Sequence, residues 1–131
     1  MEKILIIDDN EMMRLFLGNF FSKTHQVTTT DSPLKAKDLM SGNGDFDLII
    51  SDYHSNNSPQ RRNLLALKQQ AEWMSIPLII LSDQDNSQQR IDALDIGAND
   101  CLSKPFNPIE LSRRVDTMIS SSRPAVYRPV A

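Results

Sequence analysis

The chain has 131 residues, 40% of them apolar and 24% charged, with a net charge of −3. That is the size of one domain that can bury a core without staples, and the composition excludes collagen-like, fibrous and disordered chains. The acidic balance argues against nucleic-acid binding through a basic surface, and the longest apolar runs (4–7, 48–50 and 77–81) fall far short of the roughly 20 residues that cross a bilayer. The N-terminus lacks the apolar stretch of a signal peptide. A single cysteine, Cys101, excludes an internal disulfide and fits a reducing, cytoplasmic setting.

Short apolar runs alternate with amphipathic stretches. Residues 3–7 predict a strand ending at Asp8-Asp9-Asn10. Asn10 is a good N-cap for a helix over 11–23. In that helix Met13, Phe16, Leu17 and Phe20 are expected to face the sheet, with Leu15 and Met12 at the rim. Residues 26–30 are β-branched and polar, an edge strand. Ser32-Pro33 opens a helix to about Met40. A strand over 47–51 ends at Asp52. Ser58-Pro59 repeats the helix start signal, for a helix to about Trp73 whose first turn exposes Arg61 and Arg62. Residues 78–81 form a strand ending at Ser82. A helix over 87–96 is closed by Gly97. A short strand at 101–102 leads to Ser103-Lys104-Pro105, and Asn107-Pro108 opens the last helix, through Ile119. Five strand–helix repeats predict an α/β fold with a parallel sheet and helices on both faces. Residues 1–120 are read as the domain. The serines and prolines after 119 read as a tail or linker. His25 and His54 are too few and too far apart for a metal site and are expected to be solvated.

Open α/β sheets bind ligands outside the carboxyl ends of their strands. Here those ends carry Asp8 and Asp9, Asp52, Ser82 and Lys104. An aspartate after a strand is a common turn residue; four elements converging on one edge is a stronger pattern. Carboxylates crowded together repel one another, and a hard divalent cation relieves that repulsion. Magnesium takes one or two carboxylates and completes its shell with waters and phosphate oxygens. The set suits phosphoryl transfer onto a carboxylate.

The segments ILIIDDNEMMR (4–14), FDLIISDY (46–53), PLIILSD (77–83) and ALDIGANDCLSKPF (93–106) resemble the receiver domain of two-component response regulators. The resemblance implies a flavodoxin-like, doubly wound five-stranded parallel sheet of order 2-1-3-4-5 with five helices. It implies Asp52 as phosphoacceptor and Mg2+ as cofactor, held by Asp8, Asp9, Asp52 and the backbone carbonyl of His54. Ser82 and Lys104 would bind the phosphoryl oxygens, with a cis peptide before Pro105. Three features depart from the family pattern. Cys101 replaces the usual Tyr or Phe, which swings inward during switching; a thiol cannot make that swing. Asp83 replaces a small residue, adding bulk and charge at the site entrance unless it turns outward and caps the following segment. The loop 53–58 is polar and lacks the usual Met-Pro.

The resemblance also implies the partners: a histidine kinase or a histidine phosphotransfer domain as donor, with a downstream protein or effector domain reading the result. Met12 and Leu15 are the candidate docking residues. Neither nucleic acid nor membrane is expected as a partner, and a homodimer is left open. Such a domain promotes its own phosphotransfer and is not classed as an enzyme. The alternative is a pseudo-receiver, a phosphorylation-independent interaction module. A haloacid-dehalogenase-type phosphatase is disfavoured because Asp8-Asp9-Asn10 lacks the second acid of Asp-x-Asp.

Overall fold

The computed structural model describes residues 1–42, 45–83 and 86–122. Its strands are β1 (Lys3–Ile7), β2 (Gln26–Thr30), β3 (Leu48–Asp52), β4 (Leu78–Ser82) and β5 (Asp100–Ser103). The helices are α1 (Glu11–Phe21), α2 (Pro33–Ser41), α3 (Arg61–Trp73), α4 (Ser87–Asp95) and α5 (Pro108–Ser122). All four strand pairings are parallel, in the order β2-β1-β3-β4-β5. This is the expected flavodoxin-like arrangement.

Side chains alternate across each strand, so one sheet supports two cores. Leu5, Ile7, Ile49, Leu78 and Ile80 point to one face, under Ala36 and Met40 of α2, Leu64, Leu67 and Ala71 of α3, and Ala93 of α4. Ile4, Ile6, Leu48, Ile50, Ile79 and Leu81 point to the other, under Leu17 and Phe21 of α1 and Leu111, Val115 and Ile119 of α5. Burial on both faces is why β1, β3 and β4 are continuously apolar. The chain leaves β1 outward to β2 and returns across it to β3. The strand order therefore reverses between β1 and β3, and a crevice opens beyond their carboxyl ends.

Several local expectations are corrected. In α1 the inward face is centred on Leu17 and Phe21, one turn apart and each 1% exposed, while Phe16 is 46% exposed. Phe16 lies one residue, about 100°, from Leu17, which takes it off the buried stripe; its ring stacks on Phe20 at 6.3 Å. The helix α3 starts at Arg61 rather than at Pro59. The Ser58 hydroxyl accepts from the Gln60 N–H at 3.1 Å, and the Arg61 N–H donates to the Ser58 carbonyl. This local turn competes with the helical cap. The last helix runs through Ser122, past Ile119, so the serines at 120–122 continue it. Of the expected tail, residues 123–131 lie outside the described residues. His25 is buried rather than solvated. It sits edge-on to Phe21 at 5.8 Å, with Nδ1 2.8 Å from Thr24 Oγ1.

The other caps follow the sequence. Asn10 Oδ1 accepts from the Met13 N–H, Ser32 Oγ from the Lys35 N–H, and Asn107 Oδ1 from the Ile109 N–H. Gly97 follows α4 with a φ of 105°, and a Cβ there would stand 2.8 Å from Cε of Lys68. The positive φ is what favours glycine there, since the end of the Lys68 side chain can shift.

Candidate functional site

The register of the sheet assembles the acids. In the ladders Ile7 pairs with Ser51 and Asp52 with Leu81. Asp8 and Asp9 therefore leave β1 beside the end of β3. Asp8 is buried, and its Oδ1 accepts from the Asn10 N–H at 2.9 Å. Asn10 thus fixes Asp8 and caps α1 in the same turn. One carboxylate oxygen from each of Asp8, Asp9 and Asp52 lies within 4.8 Å of the others. This all-oxygen donor set, partly exposed through Asp9, fits a hard divalent cation such as Mg2+.

Lys104 reaches into the cluster from the loop after β5, where the Lys104–Pro105 peptide is cis. Its Nζ donates to Asp8 Oδ2 at 3.1 Å and to Asp52 Oδ1. Burial works against the ammonium, but the bonds and attraction to Asp52 and Asp8 outweigh it and raise its pKa. Burial, then the neighbouring Asp8, pushes Asp52 up to about 7; Lys104 pulls the other way without winning. One ammonium cannot neutralise three carboxylates. The site therefore carries unmet negative charge.

On the far side of Asp52 the arrangement differs. Ser82 is fully buried. Its Oγ donates to the Leu102 carbonyl at 3.4 Å and lies 3.4 Å from Ser103 Oγ, turned toward β5. Ser103 Oγ in turn accepts from Arg90 of α4 at 2.8 Å. Cys101 is half-buried against the α2–α4 core, and burial pushes its thiol up. Asp83 is exposed and doubly bound to Gln89: its N–H donates to Oε1 at 2.8 Å and its Oδ2 accepts from Nε2 at 3.1 Å. It ties the end of β4 to the first turn of α4. His54 is half-buried, its Nδ1 3.2 Å from Ser58 Oγ. Burial lowers its pKa against the pull of Asp9 and Asp8. Met12 and Leu15 stand exposed on α1, 77% and 56%.

The largest departure from the sequence reading is Arg61. It was expected to be solvated, but only 11% of its side chain is exposed. Its guanidinium donates to the His54 carbonyl at 2.9 Å and to both carboxylate oxygens of Asp92, at 2.5 and 3.1 Å. The Tyr53 hydroxyl donates to the same Asp92 at 2.5 Å. A cation at a helix N-terminus opposes the helix dipole. The sequence shows that mismatch equally for Arg61 and Arg62, so it does not tell which of the two has a fixed partner. Arg62, its neighbour, is exposed as expected.

The family model described as response regulator receiver domain matches residues 4–116. The chain belongs to that family. This receiver domain is 34% identical over 125 residues to the response regulator PleD of Caulobacter vibrioides, covering 95% of the chain and 27% of PleD. It is 31% identical over 118 residues to the aerobic respiration control protein ArcA of Escherichia coli, covering 89% of the chain and 48% of ArcA. The chain thus spans about a quarter to a half of the length of these relatives. Among solved structures, the Francisella response regulator 1452 receiver domain superposes with a TM-score of 0.79 at 27% identity. That match covers 94% of this chain and all of the other. Among the described residues no helix is long and apolar enough to cross a membrane.

Proposed function

We propose that this receiver domain is a phosphoacceptor of a two-component phosphorelay, with Asp52 as the accepting residue. The observation that carries the reading is geometric: the buried Asp52 carboxylate lies within 4.8 Å of carboxylate oxygens of Asp8 and Asp9 and accepts a bond from the Lys104 ammonium, in the crevice between β1 and β3. An Asp52 carboxylate oxygen attacks the phosphorus of a phosphohistidine. The new O–P bond forms as the P–N bond breaks, and the imidazole nitrogen keeps the electron pair. Lys104 stays within reach of the phosphoryl oxygens and balances their charge. Ser82, next along β4, would turn its hydroxyl from Leu102 and Ser103 to bond another. Water later attacks the acyl phosphate, restoring Asp52 and releasing phosphate. Asp8, Asp9, Asp52 and the His54 carbonyl would hold Mg2+, which supplies charge neutralisation at the transferring group.

The proposed donor is a histidine kinase or a phosphotransfer domain docking near Met12 and Leu15. A downstream protein or effector domain reads the phosphorylated state, and the setting is cytoplasmic. No activity beyond this self-promoted transfer belongs to the reading. The pseudo-receiver alternative is favoured by one observation: Ser82 faces β5, where Cys101 replaces the aromatic switch residue.

Incubation with a small acyl-phosphate donor and magnesium, read by intact mass, tests the proposal. One phosphoryl group is expected on the wild-type protein and none on Asp52→Asn. No gain on the wild type would favour the pseudo-receiver, and a gain on Asp52→Asn would move the acceptor elsewhere.

A further inference from the structure

Arg61 opens α3, where the dipole disfavours a cation, yet only 11% of its side chain is exposed and its terminal nitrogens are held by hydrogen bonds. Its planar fork grips Asp92 of α4 by two parallel bonds, the strongest geometry available to this pair. Tyr53 closes the same carboxylate from the other side. Asp92 is held below the usual carboxylate range by Arg61 and then by Tyr53, so the two charges compensate each other locally. The Nη1 that bonds Asp92 also donates to the His54 carbonyl at 2.9 Å, while the buried Nε has no partner.

That carbonyl belongs to the second residue after Asp52, one of whose carboxylate oxygens lies within 4.8 Å of those of Asp8 and Asp9. A carbonyl oxygen has two lone pairs. Arg61 engages one and leaves the other for a further partner. Ser55, Asn56 and Asn57, which follow it in the loop, are exposed. Resting on the reading of the acid cluster as a magnesium site, we propose that Arg61 is a positioning residue that holds the His54 carbonyl toward that cluster and ties it through Asp92 to α4.

The link spans the site and a helix on its far side without using position 101. By reciprocity, whatever the metal does to this carbonyl is felt at Asp92, and whatever moves α4 is felt by the metal.

Calorimetric titration of the full chain with Mg2+ alone tests this. Arg61→Met keeps the stem and removes the donors. Magnesium affinity is expected to fall about tenfold, the low end of the loss on removing a group that orients a ligand. Simple charge removal predicts the opposite sign, since taking a cation from beside the site would tighten magnesium. Arg61→Lys is expected not to restore affinity, because an ammonium cannot grip Asp92 and the carbonyl as a fork does. Asp92→Asn should also weaken magnesium, and the double variant should be no weaker than Arg61→Met. Amide exchange over Ser87–Asp95 should respond to magnesium with beryllofluoride in the wild type and lose that response in Asp92→Asn.

Unchanged or tighter magnesium binding by a folded Arg61→Met overturns the proposal, as do strictly additive losses. If Arg61→Met fails to fold, wild-type affinity in Arg61→Lys overturns it equally. A wild type that binds magnesium but takes no phosphoryl group removes the phosphoacceptor reading alone. A wild type that binds no magnesium removes both.

Discussion

The crevice between β1 and β3 and the flank formed by β4, β5 and α4 hold similar residue types in very different ways. In the crevice, Asp8 and Asp52 are buried and share one ammonium. The charges there are crowded and incompletely compensated. On the flank, three acids are matched: Asp92 by Arg61, Asp100 by Arg114, and Asp83 by the amide of Gln89. Arg90 and Ser103 complete a set of polar contacts between α4 and β5. Crowded charge leaves a site hungry for a cation and able to do chemistry. Matched charge makes a frame whose contacts hold elements in place. The difference separates where a phosphoryl group would bind from how its arrival would be transmitted.

The largest expected effect breaks the crevice. Lys104→Met should slow phosphorylation by a small donor on the order of 100-fold, the loss typical of one oriented charge at a transfer site. Arg90→Ala, on the flank, should leave that rate nearly unchanged. Initial rates from intact mass compare the two, and equal losses would erase the distinction between the regions.

Next comes pH. Burial and Asp8 raise the folded-state pKa of Asp52 to about 7, above its unfolded value. The folded state then holds a proton that the unfolded state has lost. The stability linked to Asp52 is therefore present in acid and is lost as pH rises from about 4 to about 7. His54, whose pKa is lowered, works in the opposite sense below its unfolded value. Urea denaturation of the metal-free wild type against Asp52→Asn isolates the aspartate. The variant should gain on the order of 2 kcal/mol relative to wild type between pH 5 and pH 8. Parallel profiles would show that the crevice is not strained by charge.

Smaller effects sharpen the flank. Gly97→Ala forces a side chain into a positive-φ position and against Lys68. It should cost about 1–2 kcal/mol in thermal unfolding while leaving magnesium affinity intact. Asp83→Ala removes one bond of an exposed pair with Gln89. It should cost about 0.5 kcal/mol and leave the phosphorylation rate unchanged at low salt. A faster rate would place the Asp83 charge at the entrance after all.

The sheet was legible because burial on both faces writes itself as unbroken apolar runs, and the acids were legible because each follows such a run. The departures came from geometry that periodicity does not encode. Phe16 and Phe21 look alike in sequence, and only the exact direction of α1 decides which is buried. The start of α3 depended on whether the Ser58 hydroxyl would cap a helix or close its own turn. Arg61 and Asp92 are 31 residues apart, on different helices, and no local pattern relates them. The burial of His25 likewise needed the packing of α1 to be known.

The ladder between β1 and β3 sets a limit on how this chain tolerates changes in length. Ile4 pairs with Leu48 and Ile7 with Ser51, all within buried strands. One residue inserted inside β3 would invert every side chain beyond it, turning Asp52 away from Asp8 and swapping apolar residues between the two cores. One residue inserted among the exposed 55–57 would move neither strand and would leave the acids where they are. Insertions and deletions should therefore be absorbed in that loop, with the acid set arriving unchanged in chains of different length.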